Sequence, residues 1–191
     1  MRIEMKFAAV ASAAASATAL VALTAPAVSA VSAHAAKPAS RLHGRVCLFD
    51  APRRPADLGH IGWAYRWSGD AKQWDYGATL GQDAGWRKHG SFAQMVKDFR
   101  NSHDAAGYDS YRCTDTLAAD QRDANGVVNR INGKTYSLLV DNCLTKSIQI
   151  IKAYDESGGL NALPDGRWTI PNLYYTAALD KAHWDRMVGL H

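Results

Sequence analysis

The sequence predicts an α+β protein in which a small antiparallel sheet packs against helices. Along residues 60–67, large apolar residues alternate with small ones, which is the pattern of a strand with two different faces. Turn residues at 68–70 separate this strand from a second candidate at 73–79, so the two predict a hairpin. Apolar residues then recur at helical spacing in two segments, which begin near Phe92 and Leu144.

The remaining elements are expected to be scaffold helices. Ser91 is suited to cap the first helix, and a second helix is expected within 117–132, although Gly126 weakens it. Asn172 is suited to cap a final helix that ends near Gly189.

The N-terminal segment has the organisation of a secretory signal peptide. A basic start precedes an uncharged run of small apolar residues at 7–25, and small residues then allow cleavage after Ala30 or Ala35. The run is rich in Ala and lacks a core dense in Leu and Ile, which favours cleavage over a membrane anchor. We therefore expect a secreted, extracellular protein with a signal peptide at 1–35 and a single globular domain at 36–191, about 155 residues long.

Charge and composition argue against several kinds of partner. The formal net charge is +4, but the basic residues are scattered and the densest pair is Arg53-Arg54, which disfavours nucleic-acid binding. No apolar run beyond the leader approaches membrane length, so we expect no membrane association after cleavage. The sequence contains no Cys-x-x-Cys or His-Glu-x-x-His motif, so we expect neither a metal nor another cofactor. We expect a monomer.

The three cysteines leave one thiol over when the other two form a disulfide. Cys47 lies in an apolar, strand-like run and Cys113 follows a Tyr-rich loop, and neither position would stabilise a thiolate. Because an oxidising compartment favours pairing, we expect a Cys47–Cys113 disulfide and a free Cys143. A free cysteine is more often a buried small apolar residue than a nucleophile, so the surroundings of Cys143 decide its interpretation.

Cys143 falls where a helix is expected to begin. The preceding residues 135–140 are rich in β-formers and predict a short strand or an extended segment, and Asp141 and Asn142 are suited to cap a helix. In a first helical turn, free backbone N–H groups and the helix dipole lower the pKa of a thiol. Asp141 opposes this effect, because a nearby carboxylate disfavours the thiolate. A reactive Cys143 would therefore need a basic partner.

Among the seven histidines, His60 has the setting of such a partner. It opens the strand whose second face carries Gly62 and Ala64, and these small residues leave room for another group to approach. The alternative is a structural histidine that is hydrogen-bonded within the sheet.

The order of the two motifs resembles that of the circularly permuted papain-like thiol hydrolases, the NlpC-type and lecithin-retinol-acyltransferase-like branch. The resemblance rests on GHIGWA at residues 59–64 followed by Asn142-Cys143, and it extends from Val46 to Tyr154. It implies a permuted papain-like fold, in which the histidine strand and the cysteine helix meet at one end of an antiparallel sheet. The chain also resembles secreted actinobacterial proteins, a likeness that implies no activity.

The resemblance implies a catalytic role for each of three residues. Cys143 would be the nucleophile and His60 the general base. Family members orient the imidazole with a polar residue on the next strand, where Asp75 is the best acceptor. A one-residue change of strand register would put Tyr76 there instead. No His or Asn occupies this strand, which departs from the family pattern.

We therefore expect a secreted cysteine hydrolase or acyltransferase that acts on amide, peptide or ester bonds. Its partner would be a peptide or acyl substrate, with cell-wall fragments among the candidates. The alternative is a non-enzymatic binding module on the same fold, whose contact surface is lined by Trp63, Trp67, Trp74 and Trp86. The accessibility and pKa of the Cys143 thiol distinguish the two, since only a hydrolase needs a reactive thiol.

Overall fold

The computed structural model describes residues 44–53, 57–79, 85–102, 107–131 and 136–191. The expected signal peptide and its cleavage sites lie outside these ranges. The described strands form one antiparallel, six-stranded sheet in the order β4-β3-β2-β1-β5-β6. They are β1 (Gly44–Ala51), β2 (His60–Arg66), β3 (Gln73–Ala78), β4 (Trp86–Ser91), β5 (Ser110–Thr116) and β6 (Val188–Gly189).

Helices pack on both faces of this sheet, which confirms the α+β class. They are α1 (Phe92–Arg100), α2 (Gln121–Ile131) and α3 (Cys143–Tyr154), followed by α4 (Pro171–Leu173), a π-helical turn (Tyr174–Ala178) and α5 (Leu179–Lys181). Within the described ranges, no helix has both the length and the apolar character that crossing a bilayer requires.

Strand β2 lies inside the sheet and contributes to two separate cores. Ile61, Trp63 and Tyr65 belong to the core shared with α2 and α3. Ala64 belongs to the opposite core, which includes Phe99 of α1. The alternation read from the sequence is therefore confirmed, because successive residues of a strand point to opposite faces of the sheet.

The predicted disulfide is present. Cys47 on β1 and Cys113 on β5 lie directly opposite each other in the strand register and are bonded. Both are buried, and they cross-link residues 66 positions apart, which stabilises the fold by about 4 kcal/mol.

The segment before α3 is a turn and not the predicted strand. Ser137 and Asp141 exchange two backbone hydrogen bonds of 3.0 Å, which close a loop over the three residues between them. Leu138 and Leu139 are exposed at this turn. They line a cavity instead of belonging to a strand of the sheet.

The last helix also differs from the prediction. Pro171 is its first residue, so Asn172 lies inside the first turn and does not cap it. The helical segment ends at Lys181, and Gly189 belongs to β6. The side chain of Asn172 has other partners, which shape the candidate site.

Candidate active site

Cys143 is the first residue of α3, and a reciprocal cap holds the turn before it. The Asn142 Oδ1 accepts a hydrogen bond from the Thr145 N–H (3.0 Å), and the Thr145 hydroxyl oxygen accepts one from the Asn142 N–H (2.9 Å). The Asn142 Nδ2 also donates to the Leu138 carbonyl (2.6 Å). The predicted helix start is confirmed, and it places the Cys143 side chain where the helix dipole favours negative charge.

Helix α3 is joined to β2 at Ile61. The Ser147 hydroxyl, one turn after Cys143, donates to the Ile61 carbonyl at 3.3 Å. The Ile61 backbone is also among the groups that lower the pKa of the Cys143 thiol against the effect of burial. Ser147 and Cys143 are both buried, so the Ser147 bond holds the sulfur beside the first residues of β2.

The loop that leads into β2 is shaped by Gly59 and Asn172. Gly59 has a φ of 91°, and a Cβ there would lie 1.9 Å from the Asn172 Oδ1, so glycine is the residue that fits. The Asn172 Nδ2 donates to the carbonyls of Pro52 (2.9 Å) and Asp57 (2.8 Å). Helix α4 thereby holds the segment that presents His60 at the start of β2.

The structure brings the side chains of His60 and Cys143 together where β2 and α3 begin. His60 is the largest of the influences that lower the pKa of the Cys143 thiol against the effect of burial, so the two groups interact. Both side chains are buried, and Cys143 is only 1% exposed. Because the other two cysteines are bonded to each other, Cys143 is the free thiol. The catalytic roles of this pair stay a prediction.

The neighbours of Cys143 lower the pKa of its thiol. Burial acts in the opposite direction and by itself would raise the pKa. The positive charge of His60 and its hydrogen bond outweigh that effect, together with hydrogen bonds from the Ile61 N–H and the Tyr136 hydroxyl. The pKa therefore lies below the ordinary value for a thiol, which favours the nucleophilic thiolate.

Tyr136 is a site residue that the sequence did not indicate. It lines the same cavity as Cys143, and its hydroxyl is among the groups that lower the pKa of the thiol against the effect of burial. Burial and the charge of the Cys143 thiolate raise the pKa of Tyr136. The sequence did not indicate this residue, because Tyr136 lies in a segment with the pattern of a strand. The turn that the structure has there brings Tyr136 back to α3.

A cavity of about 490 Å³ reaches Cys143. Its walls come from the loop before β2, the turn before α3 and the segment that enters α4. The apolar part of its lining consists of Leu58, Leu138, Leu139, Ile170 and Pro171. Volume and lining are both typical of a site for a small organic group.

Exposed apolar side chains continue this lining onto the surface. We call Leu58, Leu138, Leu139, Trp168 and Ile170 the apolar rim. Leu138 is 60% exposed and Trp168 is 74% exposed. The backbone N–H of Trp168 donates to the Leu139 carbonyl (2.9 Å), which joins two of the three segments that form the cavity. Apolar residues grouped in this way around a cavity mark a contact site.

The structure does not bring Asp75 to the Cys143–His60 pair. Asp75 lies opposite Tyr65, five residues along β2 from His60, or about 16 Å at the usual strand rise. Its carboxylate accepts a hydrogen bond from the Trp67 Nε1 (3.0 Å) and has further partners on β4 and α2.

Tyr76, the alternative third residue, is also distant from the pair. It lies opposite Ala64, four residues along β2 from His60, and its hydroxyl donates to Asp98 at 2.7 Å. Neither candidate on β3 is placed to orient the imidazole.

Asp50 is an acidic residue beside His60 that the sequence did not indicate. It lies on β1 opposite Ile61 and is buried, and among the described residues its Oδ1 has no hydrogen-bond partner. Burial and the charge of Asp109 raise the pKa of Asp50 to about 7, whereas the charge of His60 lowers it. In the sequence, the only indication of this role is that Asp50 is an acidic residue at the end of an apolar, strand-like run.

The predicted tryptophan-lined surface is not formed by the four expected residues. Trp63 and Trp74 are 2% and 4% exposed and belong to cores on opposite faces of the sheet. Trp67 and Trp86 are half-buried.

Three carboxylates of the described residues are close enough to share a cation. Ligand atoms of Asp120, Asp123 and Glu156 lie within 4.8 Å of one another. The group lies near the C-terminal end of α3, about 16 Å along the helix axis from Cys143. It has no part in the cavity at the thiol.

The chain matches no protein-family model, no curated protein and no solved structure. The likeness to permuted papain-like hydrolases therefore rests on the two motifs and on their order along the chain, and it stays a prediction.

Proposed function

We propose that this chain is an exported thiol hydrolase or acyltransferase, with Cys143 as the nucleophile and His60 as the general base. One observation carries the proposal. The free cysteine is the first residue of α3, interacts with His60 and lines an apolar cavity. A cysteine nucleophile needs a lowered pKa, a nearby base and access for a substrate, and this position combines the three.

The reaction would proceed through an acyl-enzyme. His60 accepts the thiol proton, and the resulting thiolate sulfur of Cys143 attacks the carbonyl carbon of the substrate. A carbon–sulfur bond forms, and the electron pair of the C=O double bond moves to oxygen. The leaving group then departs with the proton from His60, and water or another acceptor removes the acyl group from sulfur.

The start of α3 would stabilise the charge that forms on oxygen. The N–H groups of a first helical turn have no acceptors within the helix, and they point towards a group bound at the helix end. The Thr145 N–H is already used by the Asn142 cap. The N–H groups of Cys143 and Leu144 are therefore the candidates, as in other sites that stabilise an oxyanion.

The cavity favours a substrate that carries an apolar group next to its reacting carbonyl. Each methylene group transferred from water to such a lining contributes about 0.8 kcal/mol. A peptide with an apolar side chain and an ester with an acyl chain both satisfy this requirement.

Export is part of the proposal, and the disulfide supports it. Disulfides persist mainly in oxidising compartments, and the Cys47–Cys113 bond joins two buried residues of the sheet. The permuted papain-like fold is also part of the proposal, supported by the order of the histidine strand β2 and the cysteine helix α3.

A non-enzymatic binding module is the second candidate, and the apolar rim is the observation that favours it. Such a module would use the exposed side chains of Leu138, Leu139 and Trp168. It would have no need for a thiol with a lowered pKa.

Acylation of the protein tests the proposal. We expect p-nitrophenyl esters to release a burst of p-nitrophenol equal to the protein concentration and to leave an acyl group on Cys143, detected by mass spectrometry. Cys143→Ala should abolish both signals. Ser91→Ala removes the cap of α1 in the opposite layer and should retain both. An unmodified wild type, or equal acylation of Cys143→Ala, would contradict the proposal.

A further inference from the structure

Tyr136 and Cys143 line the same cavity. The Tyr136 hydroxyl is among the groups that lower the pKa of the Cys143 thiol against the effect of burial. It is therefore beside the atom that would attack a substrate and beside an N–H group that would stabilise the oxyanion.

We propose that Tyr136 is a catalytic residue whose hydroxyl donates a hydrogen bond to the negative charge of the reaction, first on the Cys143 sulfur and then on the substrate oxygen. The inference rests on the proposed function, because it assigns a further part in the same reaction. It makes the tyrosine a donor within the cavity that Cys143 also lines.

The ring is carried on a turn with a defined shape. Ser137 and Asp141, on either side of the turn, exchange two backbone hydrogen bonds of 3.0 Å. The Asn142 side chain donates to the Leu138 carbonyl within the same turn at 2.6 Å. Tyr136 immediately precedes this closed turn, so its hydroxyl is positioned before a substrate arrives, as electrostatic stabilisation requires.

The surroundings keep the hydroxyl protonated, which a donor requires. Burial and the negative charge of the Cys143 thiolate both raise the pKa of Tyr136. The buried side chain of Lys146 places its Nζ 5.5 Å from the centre of the tyrosine ring, a favourable cation–π contact that holds the ring. A neutral phenol beside a thiolate donates a hydrogen bond and does not compete with His60 as a base.

The Tyr136 hydroxyl donates a hydrogen bond to the negatively charged atom throughout the first step. In the free protein, the hydroxyl of Tyr136 donates to the thiolate of Cys143. When the sulfur attacks, its electron pair forms the carbon–sulfur bond and the carbonyl electron pair moves to the substrate oxygen. The hydroxyl then donates to that oxygen, together with the Cys143 N–H. No proton leaves the tyrosine in this step.

The test compares Tyr136→Phe with Tyr65→Phe, a matched control. Each variant loses one tyrosine hydroxyl, and that of Tyr65 donates to Asn125. Thermal melting first establishes that both variants are folded. Two measurements follow: the pH midpoint of iodoacetamide labelling at Cys143, which needs no substrate, and the kcat and KM for a p-nitrophenyl ester.

We expect Tyr136→Phe to raise the labelling midpoint by about one pH unit, the size of one lost hydrogen bond to a charged group. We expect its kcat to fall about 100-fold with little change in KM, as for other lost oxyanion donors. Tyr65→Phe should match the wild type in both measurements. A Tyr136→Phe variant that keeps its kcat within threefold of the control overturns the assignment. An inactive wild type overturns the proposed function itself, so the two failures are distinguishable.

Discussion

Ser147 on α3 and Ile61 on β2 are joined by a buried hydrogen bond, in which the Ser147 hydroxyl donates to the Ile61 carbonyl at 3.3 Å. Ser147 lies one turn after Cys143, so this bond fixes the first turn of α3 against β2. The Ile61 backbone is also among the groups that lower the pKa of the Cys143 thiol against the effect of burial. Since β2 begins with His60, this connection also sets the imidazole and the thiol side by side.

Replacing the Cys143 thiol should abolish the activity without destabilising the fold. Cys143→Ser keeps nearly the same volume at a helix start that tolerates serine, so we expect the melting temperature to change little. Turnover should fall by several orders of magnitude, because a hydroxyl is far less acidic than this thiol. His60→Gln should cause a similar loss. The double variant, measured with the same ester, should be hardly worse than either single one, because the two residues act as a unit. Additive losses would show that they do not.

Asn172 should support the site through the loop before β2. Asn172→Ala removes the hydrogen bonds to the Pro52 and Asp57 carbonyls, and we expect the free energy of unfolding to fall by about 2 kcal/mol. The labelling of Cys143 should slow as well, because His60 follows this loop. Asn161→Ala, at an exposed position, should change the stability by less than about 0.5 kcal/mol. Urea denaturation and labelling rates measured on the same samples check both effects, and a loss of stability without slower labelling would limit the role of Asn172 to folding.

Asp50 should make stability depend on pH. Its pKa is raised from 3.8 to about 7 in the folded protein, by burial and by Asp109, against the charge of His60. The folded state therefore binds this proton more tightly, so the stability it contributes is fully present below pH 3.8 and is lost as the pH rises from there to about 7.

Asp50→Asn removes this loss. Relative to the wild type, the variant should gain on the order of 2 to 3 kcal/mol of unfolding free energy between pH 5 and pH 8. Urea denaturation of both proteins at the two pH values measures the difference, and the other carboxylates cancel in the comparison. A variant whose relative stability is the same at both values would show that Asp50 does not titrate in this window.

The apolar rim should select substrates. Leu138→Ser reduces the apolar surface beside the cavity, so kcat/KM for an ester with a medium-length acyl chain should fall about fivefold, or about 1 kcal/mol. The acetyl ester, which is too short to reach the rim, should be affected little. Leu117→Ser, at an exposed leucine that does not line the cavity, is the matched control. Equal effects of Leu138→Ser on both esters would argue against a substrate contact.

Local patterns were sufficient to predict the parts of the site that depend on neighbouring residues. Asn142 caps α3 and Ser91 caps α1, because cap residues act on N–H groups two or three positions away. The Cys47–Cys113 disulfide followed from the cysteine count and the unsuitability of either residue as a nucleophile.

The third residue could not be predicted, because strand register and turn shape are set by the whole fold. Asp75 is acidic and lies on the strand after His60, but the register places it opposite Tyr65. The contact of Tyr136 with Cys143 depends on a turn made of residues with β-forming side chains. Such residues indicate a strand when only neighbouring positions are considered.

The pH dependence of iodoacetamide labelling at Cys143, read by peptide mass spectrometry on the native protein, is the most direct test of an activated thiol. We expect a labelling midpoint well below the unperturbed thiol value of about 8.5, and we expect His60→Gln to move it upwards. A midpoint at about 8.5 in the wild type, unchanged by His60→Gln, would contradict the nucleophile–base pair and leave a binding role for the cavity.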